Sequence, residues 1–532
     1  GRPVIPLHLA AFGAFDWCIV VGYMLGVLAL GALVSGKSAD KDDYFLGGRS
    51  MPTWAVTLSV LATSLSAATY VGVPQLTFRG DLSYLVMNVG GLLGALAVAA
   101  LFLPRLYAAG TTTIYGALEQ RHGEGGVIAA SVAFLFGRFL ASGARLFIAG
   151  IAFSLILFDD LNTSSIVLAI VLFGAVGTAY TCMGGIRAVI WTDTLQIVLV
   201  VGAALGSIAY LLYMIPLPLL GEGGIYEHLA AADKLVLVKS GFGDEGYDWA
   251  AGFTILTAFA VIPQNMGSYG CDQDLVQRML TTSSSWRASV SLMVSQLLGI
   301  PVVFLFLVIG LLLSIFYGHP ELMGAAAPQE VLADDRGVYP QFLMHHMPSG
   351  LAGLAMAGMF AAAMSSLDSA VNALASSLVV DVIEPLRRRG RAARGEPAEE
   401  DRGLSAPRWA VVGAGLTLIG FAVVAAVVQQ GGKTRLIDFA LGVMTFALSG
   451  LLGVFCATLF TKRGNVYSLI AALIVGALAI LVLQNPEWIG WVKLSWPWWM
   501  LIASPLSFAV CCLGTPRPPE EGPAEEGQPR KL

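Results

Sequence analysis

The chain has 532 residues, of which 56% are hydrophobic and 12% charged, with a mean hydropathy of +0.75. Soluble domains carry about 25% charged residues, so this composition excludes an ordinary water-soluble protein and points to a lipid bilayer. The net charge of −5 is small and gives no reason to expect a nucleic-acid partner.

A helix crossing a bilayer needs roughly 20 mostly apolar residues. In chain order, thirteen segments meet that demand, at approximately 14–36, 52–78, 82–104, 126–157, 164–183, 188–214, 249–271, 287–318, 350–381, 408–429, 436–461, 465–484 and 495–514. The segment at 126–157 is long enough to be tilted or to extend beyond the membrane. Lys and Arg accumulate in cytoplasmic loops. With the N-terminus outside, inside segments hold 20 of the 30 basic residues and outside segments 8; the other two, Arg138 and Arg145, lie within a helix. That ratio predicts the N-terminus outside and the C-terminus inside.

Two larger outside loops, near 215–248 and 319–349, are expected to contain short helices. The charged stretch 387–407 reads as a solvated flank of a membrane helix, and the Pro- and Glu-rich stretch 515–532 as a disordered cytoplasmic tail. The first sixteen residues lack the basic-then-apolar order of a cleaved signal peptide. No HExxH, GxxxxGK[ST] or strand–helix GxGxxG motif occurs, which argues against ATP-driven transport by this chain alone. No nucleophile–base or metal constellation suggests an enzyme. The six cysteines (Cys18, Cys182, Cys271, Cys456, Cys511 and Cys512) lie in or beside apolar segments and read as packing residues.

Polar side chains inside a span are costly and mark a pathway or site. The second segment, SVLATSLSAATYVGVPQLTF, has a run of small and hydroxyl residues from Ala62 to Thr69, followed by Gly72 and Pro74. Such a helix can unwind and free carbonyls for a cation, although a small-residue packing face gives the same pattern. The sixth segment places Asp193 near its start, beside Thr192, Thr194 and Gln196; a carboxylate at a helix N-terminus is the plainer explanation. The seventh, VIPQNMGSYGCDQDLVQRML, is punctuated by Pro263, Gly267 and Gly270. In the ninth, Ser365, Asp368, Ser369, Asn372 and Ser376 form one polar stripe at helical spacing.

The second and seventh segments are five helices apart. Two interrupted helices at corresponding places in two halves are the sequence pointer to an inverted-repeat transporter. Serine hydroxyls facing an unwound helix would supply the preplaced oxygens that sodium needs.

The stretches DYFLGGRSMPTWAV (43–56), TIYGALEQRHG (113–123), GGIRAVIWTDTLQ (184–196), DQDLVQRML (272–280) and AAMSSLDSAVNALASSLVVDVI (362–383) together resemble the sodium/solute symporter family. Its members carry glucose, proline, iodide, monocarboxylates or sialic acid with sodium. The resemblance implies an all-α polytopic membrane protein with a LeuT-type fold of about 13 transmembrane helices. An extra helix and loop (1–51) would precede a first five-helix repeat (52–214). An extracellular loop (215–248), a second, inverted repeat (249–461) and two C-terminal helices (462–514) would follow.

By the same resemblance, the main sodium site would use carbonyls of Ala62, Leu65 and Ala362 with the hydroxyls of Ser365 and Ser366. A second sodium would use Asp193 with Ser365 and Ser369; Asp368 stands where two-sodium members offer a hydroxyl. One ion is therefore expected, and a second is left open. LSAAT (65–69) resembles the pocket segment of sialic acid and monocarboxylate members, which nominates Ser66 and Thr69 for the solute. Sialic acid members also resemble this chain in having an arginine at Arg145. A buried guanidinium suits a bidentate carboxylate, unless it pairs with Asp193 or Asp368. Asn88, Asn265, Ser268 and Thr445 complete the candidate lining.

The expected function is sodium-coupled import of a small organic, carboxylate-bearing solute by alternating access, in the cell membrane, in contact with lipid, with a monomer sufficient. A sugar or amino-acid symporter is the alternative within the family. A membrane sensor or channel is the alternative outside it.

Overall fold

Apolar segments without water around them must close their own backbone hydrogen bonds, and helices do so within one segment. The computed structural model describes residues 12–34, 41–216, 223–244, 246–323, 337–395, 405–428 and 436–515. Its principal helices are α1 (Ala14–Val34), α2 (Thr53–Ser64), α3 (Ala67–Arg79), α4 (Met87–Ala97), α5 (Glu119–Phe158), α6 (Thr163–Met214), α7 (Ile262–Gly270), α8 (Gln273–Leu280), α9 (Ser285–Gly318), α10 (Val338–His345), α11 (Leu351–Ser377), α12 (Ser405–Val428), α13 (Leu436–Phe460), α14 (Val466–Gln484) and α15 (Trp496–Cys512).

Among the described residues, nine helices are long and apolar enough to cross a membrane. Counting the bent pair α2–α3 as one span makes ten. The chain is a multi-pass membrane protein. Three of the thirteen expected segments take other forms. Thr163–Ala179 and Trp496–Cys512 are apolar but shorter, and 249–271 is divided into Ile255–Ala260 and α7. The fifth and sixth expected segments run together as α6, turned at Gly185, whose φ of 59° and ψ of −174° only glycine adopts readily. A side chain there would also press on Tyr44, whose carbonyl oxygen lies 2.9 Å from the position of a Cβ.

The long expected segment at 126–157 extends to α5, with a non-helical Gly123 near its start. The stretch 223–254 contains the expected short helix (Gly224–Ala231) and also a two-stranded hairpin, Phe242–Gly243 with Gly246–Tyr247. Lys234 Nζ from this stretch donates to the carbonyls of Phe78 (3.0 Å) and Gly80 (3.1 Å), capping the end of α3. Beside it, Lys239 Nζ meets Asp81 Oδ2 at 2.5 Å. Burial pushes the Asp81 carboxyl up, but hydrogen bonds from Lys239 and Ser83 outweigh that and hold it below its ordinary value. The basic run 387–394 lies in a helix, Glu384–Arg394; residues 396–404 and the tail from 516 onward lie outside the described residues.

At the centre stands α11, buried at every position from Ala355 to Ser377. It packs against α6, α5, α12, α1 and the α2–α3 pair. Asp16 of α1 fixes its start: one carboxylate oxygen accepts from the amides of Gly350 (2.7 Å) and Gly353 (2.8 Å), the other from Ser349 Oγ (2.8 Å). With no face toward solvent, the polar stripe of α11 must meet polar partners from neighbouring helices.

Candidate ion and solute site

The break between α2 and α3 bends the chain by 57°, with Leu65 (φ −89°, ψ 119°) and Ser66 (φ −121°, ψ 177°) extended. Its chemistry is local. The amide of Ser66 reaches the Thr69 hydroxyl, that of Ala68 the Ser66 hydroxyl, and that of Thr69 the Ser66 carbonyl. These amides would bond to the carbonyls of Ala62, Ser64 and Leu65 in an unbroken helix. The capping box on Ser66 and Thr69 thus starts α3 and releases backbone oxygens at the end of α2.

Across from the break, α11 presents Ala362, Ser365 and Ser366. Ser366 Oγ is buried without a hydrogen-bond partner among the described residues. Ser365 Oγ donates to Asp193 Oδ1 at 2.5 Å. Freed carbonyls and an unengaged hydroxyl suit a small hard cation, which takes oxygen ligands.

Asp193 is fully buried, in the part of α6 beyond the Gly185 turn. Ser59 Oγ donates to its Oδ2 at 2.5 Å, and Arg278 Nη2 lies 3.2 Å from the same oxygen. Arg278 also reaches Ser369 Oγ, and Ser369 lies 3.3 Å from Thr63 Oγ1. Asp193, Ser365 and Ser369 are therefore brought together, with a guanidinium among them. Asp368 faces elsewhere and accepts from Thr181 Oγ1 at 2.8 Å.

Arg278 is one of the 20 basic residues that the sequence assigns to inside segments; the structure buries it to 1% exposure. The helix breaks at Cys271–Asp272, with Asp272 extended at φ −97° and ψ 115°. Beyond the break α8 is buried at every position, and Arg278 Nη1 meets Asp274 Oδ1 at 3.0 Å. Arg138 bonds Asp272 Oδ2 at 2.6 Å and also meets Asp274. Two arginines and three aspartates so form one buried network. Only charge placed on an interrupted helix hinted at it.

Beside the break lies a cavity of about 190 Å³. Thr69, Asn88, Arg145, Asn265 and Ser268 line it, as do Leu65, Gln264 and Tyr269. Ser66 and Thr445 are not among its lining residues; their hydroxyls serve the cap of α3 and the Gly442 carbonyl (2.7 Å). Gln264, which the sequence did not single out, is buried with both amide atoms unpartnered. Arg145 has no carboxylate within ion-pair distance among the described residues; its Nη2 contacts Met444 Sδ at 3.3 Å. Among the described residues its ion pairing with Asp193 or Asp368 is not formed; Asp193 pairs with Arg278 and Asp368 accepts from Thr181. A second, small void is lined by both Arg145 and Ser366.

Comparison with known proteins identifies the family and the fold. The model of the sodium:solute symporter family matches residues 44–476. The sodium/sialic acid symporter SiaT of Proteus mirabilis is 27% identical over 479 residues, 89% of this chain and 90% of its own length. The human sodium-coupled monocarboxylate transporter 1 is 27% identical over 387 residues, 71% of this chain and 60% of its own. In fold, the chain is similar to a substrate-bound, outward-open sodium-coupled sialic acid symporter, with a TM-score of 0.78 at 24% identity, covering 95% of this chain and 99% of that one. It is more distantly similar to the nucleobase-cation-symport-1 transporter Mhp1 in a closed conformation, with a TM-score of 0.51 at 16% identity, covering 87% and 93%. This chain belongs to the sodium:solute symporter family.

Proposed function

We propose that this chain is a sodium-coupled symporter that carries a small carboxylate-bearing solute across the membrane by alternating access. The observation that carries the solute class is Arg145: a half-buried guanidinium at a cavity wall, with no carboxylate at ion-pair distance among the described residues. A bidentate solute carboxylate matches its fork. Gln264, Asn88 and Asn265 offer amide groups for the rest of the solute.

Sodium is held between Ala62, Leu65, Ala362, Ser365 and Ser366. Two breaks, at Leu65–Ser66 and at Cys271–Asp272, support an architecture of two inverted five-helix repeats, with the N-terminus outside and the C-terminus inside. In that orientation the Arg138–Asp272–Asp274–Arg278–Asp193 network lies on the cytoplasmic side of the cavity and closes it. Inward opening then has to separate groups that are buried together, which a ligand favours only through its different affinity for the two states. Sodium between α2 and α11 and solute on Arg145 supply that difference at adjoining points. A second ion at Asp193 with Ser365 and Ser369 shares its ligands with Arg278.

The test is Ser366→Ala in purified protein reconstituted into liposomes. Ser366 is the cleaner site than Ser365, whose hydroxyl also serves Asp193. The sodium concentration for half-maximal uptake is expected to rise about tenfold, equivalent to ~1.4 kcal/mol. An unchanged sodium requirement refutes the assignment.

A further inference from the structure

Ser142 and Arg145 stand three residues apart on α5, so one face of that helix carries both. With Ser366 of α11 they line the small void, whose other walls are apolar, among them Ala67 at the start of α3 and Ala363. The void leaves about 10 Å³ for the centre of a water-sized molecule, room for a single one. Ser142 is 5% exposed and Ser366 6%, and neither hydroxyl has a hydrogen-bond partner among the described residues. A helical serine can return its proton to the carbonyl four residues back, as Ser64 and Ser207 do here. Ser142 and Ser366 do not. Two orphaned hydroxyls on one enclosed void call for a shared explanation.

We propose that one water, held by Ser142, Ser366 and Arg145, couples the sodium site to the solute anchor, with Ser142 as the residue that positions it. A hydroxyl carries one proton and two lone pairs. When Ser366 turns lone pairs to sodium, its proton points away from the ion, and the void offers it an acceptor. The water accepts that proton with one lone pair and an N–H of Arg145 with the other, the second a charge-assisted bond. It donates to Ser142 Oγ. Three polar partners are the usual number for an enclosed water. One N–H of the guanidinium is thereby fixed toward the void, and the rest of the fork is left for a carboxylate in the larger cavity, which Arg145 also lines. Without sodium, the Ser366 proton is free to turn to other oxygens, the water loses a donor, and the fork has to be ordered when the solute arrives. Ion binding so lowers the ordering cost of solute binding with no contact between ion and solute.

This inference rests on the reading of Arg145 as a carboxylate anchor, and the experiment separates the two. Calorimetric binding of sialic acid, or of lactate where sialic acid does not bind, is measured on purified protein in nanodiscs. Each titration is run in sodium and with choline in its place, for the wild type, Ser142→Ala and Ser142→Val. The ratio of the two Kd values is the coupling, expected to be at least about fivefold in the wild type. Ser142→Ala leaves the water one partner short and Ser142→Val fills the void, so both should bring the ratio toward one. The Kd in choline should stay near the wild-type value. A merely structural Ser142 would change stability, or both Kd values together, and leave the ratio as it was; that result overturns the proposal. Full coupling in Ser142→Val overturns the water whatever Ser142→Ala does, and Ser142→Ala decides the matter if the valine variant fails to fold. Coupling that disappears when chloride is replaced by gluconate also overturns it, because the void then holds an anion. Binding of neither acid to the wild type defeats the carboxylate reading itself.

Discussion

Arg278→Met is expected to lower stability by about 3–5 kcal/mol, the range for removing one partner of a buried ion pair. The side chain is 1% exposed, lies 3.2 Å from Asp193 and 3.0 Å from Asp274, and reaches Ser59 at 2.9 Å. Methionine fills much of the volume but leaves Asp193 charged in a fully buried site. The check is thermal unfolding of the purified variant in detergent, beside the double variant Asp193→Asn/Arg278→Met. Removing the stranded charge as well should restore part of the loss, since groups in contact are not additive. Equal unfolding of Arg278→Met and the wild type would contradict the pairing.

The second large effect concerns the solute. Arg145→Ala is expected to weaken binding of carboxylate solutes by about 2–5 kcal/mol, or at least ~30-fold, as truncating one partner of a buried charge pair does. Neutral analogues of similar size should lose little. Arg145→Lys should fall between, because an ammonium keeps the charge but not the planar fork. Thermal-shift titration with matched acid and amide solutes reads this directly. Equal losses for acids and neutral analogues would remove the carboxylate from Arg145.

What the sequence made legible was mostly what local chemistry determines. The small-residue run ending in Ser66-Ala67-Ala68-Thr69 carries its own helix start, so the break in the second segment could be anticipated. The stripe of Ser365, Asp368, Ser369 and Asn372 followed from helical spacing alone. Arg278 was read as a loop charge because the same spacing cannot tell that α8 is buried along its whole length: a polar octamer after an interrupted helix reads equally well as a loop.

Partner choice was beyond reach for a related reason. Asp193 meets Ser59 and Arg278 from segments 134 and 85 residues away in sequence, and only the packed fold brings them together. Arg145 illustrates the converse. Its separation from Asp193 and Asp368 could not be read from spacing, yet that separation turns a costly charge into a candidate solute anchor. The extent of helix was also partly hidden, since Gly185 sits inside an apolar stretch and a single left-handed residue turns the chain without ending the helix pattern.

Sodium-coupled symport itself is tested most directly in proteoliposomes containing only this protein, with an inward sodium gradient imposed across an otherwise symmetric membrane. Uptake of a labelled carboxylate solute such as sialic acid or a monocarboxylate should overshoot its equilibrium level, then decay as the gradient collapses, with potassium unable to replace sodium. Accumulation at the same rate and level with and without the sodium gradient would contradict the account.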